Sequence, residues 1–202
     1  EKAVAVTFDS AWSAEDIFSI AETLDSYGCR ATFFVVGTWA EKNPDAVRLL
    51  SDRGHEIAGH SYDHAHYNNL TESELMADMA KCDAAIKNIT GKNVPLFRSP
   101  YGEYNNTVVR AANESGRYLI QWDADSLDWK DLSEDEIINR VMKKVKNGSI
   151  ILLHNGTKNT ASALPKLLDK LKSEGYSFKS AGELIYRDNY KINSEGRQIK
   201  LK

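Results

Sequence analysis

The residues of this chain best equipped for chemistry are an isolated acid, three imidazoles and a guanidinium, each beside the end of an apolar run. Asp9 closes "VAVTFD", His60 and His64 frame "HSYDH", and Arg98 opens "RSPYG". Asp128 and Trp129 end "DSLDW", and His154 ends "SIILLH". Carboxylates and imidazoles are the groups that most often move protons near neutral pH. Two histidines four residues apart share a face on a helix or tight turn, a spacing that suits a divalent metal. Each residue taken singly also has a plain structural reading. Asp9 fits a turn acid, Arg98 a loop partner for a surface acid, Trp129 rim packing and His154 a satisfied core histidine. His55 and His66 read as surface or loop residues, and Ser99 lacks the GxSxG elbow of a serine nucleophile.

What joins these residues is their place relative to the elements that must hold them. Short β-branched or aromatic runs predict strands at Val4–Phe8, Ala31–Val36, Glu56–Ala58, Leu96–Arg98, Tyr118–Trp122, Ser149–Leu153 and Ser177–Lys179. Helices between them are announced by capping boxes at Thr71/Glu74, Ser133/Glu136 and Ser180/Glu183, and by Asn43 as a cap before Pro44. Strand–helix alternation without a break predicts an α/β fold with a parallel sheet, for which an open sheet and a closed barrel both fit. No GxGxxG or GxxxxGK[ST] follows a strand, which argues against nucleotide-binding versions of the open sheet. In either architecture ligands collect at the carboxyl ends of the strands. Asp9, His60, His64, Arg98, Tyr101, the acids of "WDADSLDW" (Asp123, Asp125, Asp128) and His154 all fall there.

Composition narrows the classes further. The chain has 202 residues, 27% charged and 42% hydrophobic, with a formal net charge of -3. It reads as one domain over 1–202, with a core at about 4–185 and a polar extension, 186–202, expected as a surface appendage or frayed tail. No basic tract is present, so nucleic acid is not an expected partner, and no apolar run reaches the roughly 20 residues of a membrane helix. The chain opens at Glu1 rather than Met, and an export signal removed upstream would leave no trace. Cys29 and Cys82 read as two buried free thiols, since neither lies in a metal-ligand spacing.

Together the motifs resemble the polysaccharide deacetylases of carbohydrate esterase family four, the NodB-homology domain. The signatures "TFD", "HSYDH", "RSPYG", "DSLDW" and "LLH" occur in that order, and the likeness runs from about Val4 to Ile185. The tryptophan-bearing "TFDSAW" and "HNGTKNTASALPKLL" look most like a sporulation or cell-wall branch from Gram-positive bacteria. The resemblance implies a distorted (β/α) barrel of about seven parallel strands. It implies hydrolysis of N-acetyl groups from N-acetylglucosamine units of a polymer such as peptidoglycan or chitin, by a monomer outside the cell or at its envelope. By the same likeness Asp9 matches the base, Arg98 the residue that orients it, and His154 the acid tuned by Asp128. His60 and His64 match ligands of a divalent metal, zinc foremost, with cobalt, manganese or nickel as alternatives. Tyr101 matches a backbone donor to the oxyanion, and Trp129 and Leu152 match the pocket for the acetyl methyl.

One position departs. The family reads "TFDD", its second acid being the third metal ligand, and here that residue is Ser10. A neutral hydroxyl holds a dication less well than a carboxylate. Three outcomes follow from the sequence: a weakened site completed by water, a substitute acid among Asp63, Asp123 and Asp125, or a glycan-binding groove without turnover. A metal-dependent hydrolase of small amides is a further competing reading.

Overall fold

Every residue of Ala3–Ser10 (β1) is buried, as expected of a central strand covered on both faces. The computed structural model describes residues 2–201. After β1 come Ile17–Ser26 (α1), Thr32–Val35 (β2), Gly37–Lys42 (α2), Pro44–Asp52 (α3) and Glu56–Gly59 (β3). Glu72–Thr90 (α4), Leu96–Phe97 (β4), Asn106–Glu114 (α5), Tyr118–Leu119 (β5) and Ala124–Asp125 (β6) follow. Glu134–Lys144 (α6), Ile150–His154 (β7), Thr160–Ser173 (α7), Ser177–Phe178 (β8) and Ala181–Leu184 (α8) complete the alternation.

The main sheet runs β5-β4-β3-β2-β1-β7-β6, with β8 on the first residues of β1. All its pairings are parallel. Seven strands therefore curl into an incomplete barrel whose two border strands, β5 and β6, do not pair. The expected strands are present. The one strand added to the main sheet, β6, is only two residues long and hides inside the acidic motif "DADSLD". Along β1 the side chains alternate: Val4, Val6 and Phe8 join the large cluster under the outer helices, while Ala5 meets Phe34, Ala58, Leu96 and Ile120 in the small inner one. Thr7 and Asp9 continue the register of Ala5 towards the carboxyl end of the strand.

Local chemistry places the helices. The capping boxes of α4, α6 and α8 all form, each hydroxyl accepting from the N–H three residues on while the glutamate reaches back. Asn43 is a correction. Its side chain makes no cap for α3; its Nδ2 donates to the carbonyl of Trp39 at 2.9 Å, serving the end of α2 instead. His55 is a second correction, being 3% exposed, with Nδ1 accepting the Ala31 N–H and its ring edge-on to Phe33. Both cysteines are buried and free. The polar extension forms a hairpin of Tyr190–Ile192 (β9) and Gln198–Lys200 (β10) rather than a frayed tail, and Arg197 ties it to Asp123 at 2.5 Å.

Candidate active site

Parallel pairing of β1 and β7 puts Asp9 and His154 opposite each other in register. Adjacent strands lie about 4.8 Å apart, so the two groups face one space at the carboxyl end of the barrel. Arg98, just past β4, reaches the same point from beneath. It is fully buried, its Nη1 donating to Asp9 Oδ1 at 2.7 Å and to Thr7 Oγ1 at 3.0 Å. Its Nε donates to the carbonyl of Ile120, and its guanidinium lies 4.0 Å from the Phe34 ring centroid. A guanidinium can be buried this way because its donors are matched and its flat face packs on an aromatic ring.

Arg98 also fixes the histidine pair through its main chain. His60 Nδ1 lies 2.8 Å from the Arg98 carbonyl and donates to it, which leaves Nε2 as the free acceptor, 3.5 Å from Asp9 Oδ2. The rings of His60 and His64 meet edge-to-face with centroids 5.0 Å apart. A tight loop brings them together, not a helix: Ser61 and His64 adopt left-handed backbones, with φ of 67° and 65°. Asp78 holds that loop, taking the Tyr62 N–H at 3.1 Å, the Tyr67 hydroxyl at 2.5 Å and the Ser61 hydroxyl at 3.3 Å. Sequence reading missed Asp78, although an acid between Leu75 and Cys82 on the buried stripe of α4 is a signal of such a role.

His154 is held twice by one carboxylate. Its Nδ1 lies 2.7 Å from Asp128 Oδ1, and its backbone N–H donates to Asp128 Oδ2 at 2.7 Å. The Thr160 hydroxyl donates to the same oxygen, so Asp128, fully buried, cannot turn away.

The protonation states follow from these contacts. Burial pushes Asp9 up, but the charges of Arg98, His60 and His154 outweigh it, and its pKa falls below the usual 3.8. Burial pulls His154 down, yet the hydrogen bond and charge of Asp128 and the charge of Asp9 raise it above 6.5. Burial also lowers His60, and with His60 beside it lowers His64 to about 4. The pocket thus holds Asp9 towards its ionised form, His154 towards its protonated form, and His60 and His64 towards neutral imidazoles with lone pairs to offer.

Several aromatic groups rim the site. Tyr101 is 59% exposed on a left-handed turn (φ 59°), its ring against His64 and stacked on His66 at 4.2 Å. His66, read from sequence as a surface or loop residue, is thereby part of the rim. Trp129 is exposed, and Leu152 is buried in β7 two residues before His154, on the same strand face. Trp12, unassigned from sequence, lies with its ring 5.2 Å from that of His154.

The substitute acids named for Ser10 are engaged or remote. Asp123 corrects the sequence reading: it accepts the Ile150 N–H and Ser149 hydroxyl at the start of β7, the end of the sheet away from His154. Asp125 accepts the Leu127 N–H at 2.9 Å and Asp63 is exposed. Among the described residues no group of three His, Cys, Asp or Glu side chains could hold a metal ion. The donors fit a seat of two imidazoles, His60 and His64, both neutral. Ser10 lies next to Asp9 in the chain, fully buried, its Oγ without a hydrogen-bond partner. An unpaired buried hydroxyl costs about 1–3 kcal/mol, which a cation beside it would offset.

The same architecture recurs in known proteins. The polysaccharide deacetylase family pattern matches residues 1–120. The peptidoglycan-N-acetylglucosamine deacetylase PgdA of Listeria monocytogenes is 34% identical over 96% of this chain, which spans only 41% of that protein's length. A peptidoglycan-N-acetylglucosamine deacetylase of Bacillus cereus is 33% identical over 92% of this chain and 89% of its own. A solved pseudoenzyme of carbohydrate esterase family four from Bacillus anthracis superposes with a TM-score of 0.88 at 33% identity, covering 91% of this chain and 65% of that one. A mutant of the same pseudoenzyme is described as having restored enzymatic activity. With its ordered motifs, its incomplete parallel barrel and these likenesses, the chain belongs to the polysaccharide deacetylase family.

Proposed function

We propose that this domain hydrolyses the N-acetyl group of N-acetylglucosamine units in a cell-wall glycan, peptidoglycan foremost and chitin-like polymers as the alternative. The register pairing of Asp9 with His154, with opposite protonation states, carries the reading. Amide hydrolysis requires a base to take a proton from water and an acid to give one to nitrogen. Asp9, ionised and steered by Arg98, accepts the proton of the attacking water as its oxygen adds to the acetamide carbonyl carbon. Negative charge gathers on the carbonyl oxygen, where the Tyr101 N–H is the donor. His154, kept protonated by Asp128, gives its proton to the amide nitrogen as the C–N bond breaks. Acetate and a free glucosamine amine result. Trp129 and Leu152 supply apolar surface for the methyl group.

Deacetylases of this family generally depend on a divalent metal. His60 and His64 would hold it, zinc foremost and cobalt, manganese or nickel next. When bound, such an ion lowers the pKa of water and polarises a carbonyl. The relatives' activity on peptidoglycan supports placement outside the cell or at the envelope, and we take the working unit to be a monomer.

The test is acetate release from N-acetylated oligosaccharides and from peptidoglycan, with each metal added in turn. Turnover that disappears in Asp9→Asn and in His154→Ala supports the assignment, and near-normal rates in either would discard that residue's role. Ser10 favours a second reading, a glycan-binding groove without turnover, which oligosaccharide binding with no acetate under any metal would establish.

A further inference from the structure

We propose that Trp12 is a stacking platform for a sugar ring of the glycan, a binding determinant beside the acid His154. The inference rests on the deacetylase reading for the glycan's identity, and on the loop after β1 for its geometry.

Trp12 is 50% exposed, an uncommon fate for the largest apolar side chain. Exposure here does not mean a loose loop. The Trp12 carbonyl accepts a hydrogen bond from Nε1 of Trp39, itself only 4% exposed. The next carbonyl, of Ser13, accepts from Nδ2 of the buried Asn155 at 2.6 Å. Asp16 Oδ2 takes the Gly156 N–H at 2.8 Å. Gly156 itself has φ of 73°, and a Cβ there would come within 2.7 Å of the Ser13 carbonyl oxygen. The main chain from Trp12 to Asp16 is therefore clamped, to Trp39 of α2 and to the segment that follows His154, while the indole itself stays half exposed.

That indole has no polar duty visible among the described residues, and its ring is tilted 35° to that of His154 at 5.2 Å. Tyr101 and Trp129, both exposed, stand on two other loops at the same end of the barrel. A pyranose ring carries axial C–H groups on its faces, and the electron-rich face of an indole attracts them. An aromatic ring fixed before the ligand arrives loses little freedom on binding, so more of the contact appears as affinity. A ring packed only to shield His154 needs no such exposure.

The experiment compares the full chain with Trp12→Ala and Trp12→Phe. Binding of tetra-N-acetyl-chitotetraose is measured by calorimetry with chelator present, so that nothing turns over. Steady-state rates follow with metal restored. Thermal melting checks that each variant is folded, which the exposure of the side chain favours. The alanine variant is expected to bind about 3–10-fold more weakly, with KM rising in step, kcat within about twofold and Trp12→Phe recovering most of the loss. Equal binding by wild type and Trp12→Ala overturns the proposal alone. So does an effect confined to kcat with a displaced pH profile, which would make Trp12 a mere cover for His154. If the wild type binds no oligosaccharide and releases no acetate, the deacetylase reading falls and this inference with it.

Discussion

Replacing Arg98 with methionine tests the geometry of the site by thermodynamics alone. The variant keeps most of the apolar stem and removes the charged guanidinium that lies over Phe34. It strands Asp9, 5% exposed, beside the Thr7 hydroxyl and the Ile120 carbonyl that Arg98 had matched. Breaking a buried pair by removing one partner costs about 3–5 kcal/mol. Unfolding entropy of about 2.1 cal/mol/K per residue gives roughly 0.42 kcal/mol/K for the 202 residues of the chain, and hence a melting temperature lowered by about 7–12 °C. The loss should also depend on pH. In the parent the folded pKa of Asp9 lies below 3.8, so its pairing stabilises the fold above that value and is lost as pH falls through the folded pKa. In the variant burial dominates and lifts the Asp9 pKa above the unfolded value, so stability is lost as pH rises through it. The first effect is complete by about pH 5, and the second goes on widening the gap between parent and variant as pH rises from about 4 through the raised Asp9 pKa. Urea denaturation followed by circular dichroism at pH 5 and 7 measures it. Adding Asp9→Asn to the variant should restore part of the loss, because neighbours in one network are not additive. A cost under about 1 kcal/mol at neutral pH, or a cost independent of pH, would refute the buried-pair argument.

Ser10→Asp adds a charge next to Asp9 in the chain, and zinc affinity measured by competition with a chromophoric chelator should rise at least about tenfold, since even a partner that merely orients a ligand is worth 10–100-fold; an unchanged affinity would remove Ser10 from the metal question. For the active enzyme, the pH–rate profile should fall on the alkaline side as His154 loses its proton above 6.5. Asp128→Asn should lower the rate by about 10²–10⁴-fold and move the alkaline limb to lower pH, because burial then acts on His154 without the Asp128 charge; an unmoved limb would sever that link. Both thiols should resist a disulfide reagent in the native protein and react in denaturant, burial having pushed Cys82 up to about 12 and Cys29 higher.

Much of this was legible because local signals and global fold agree. The three capping boxes name helix starts with side chains that satisfy the same N–H groups in the structure, and the fully apolar "AVAV" of β1 could only be a strand covered on both faces. What was hidden depends on long-range contact. Asp78 looks like any helix acid until the left-handed turn at Ser61 folds onto it. Asp123 sits in the same short motif as Asp128, yet the two residues of β6 carry the chain from one end of the barrel to the other, so neighbours in sequence serve opposite ends. Trp12 gives no periodic signal, because a clamped loop draws its order from Trp39 and Asn155, far along the chain.

The unclosed ring has a consequence for how molecules of this protein meet one another. A sheet that stops short offers its border backbone to any passing chain, the usual route to aggregation. Here β5 and β6 are two residues each, too brief a template to recruit a foreign strand. Crowded solutions should therefore stay clear of fibrous deposits for reasons of border length alone, with no protective charge required.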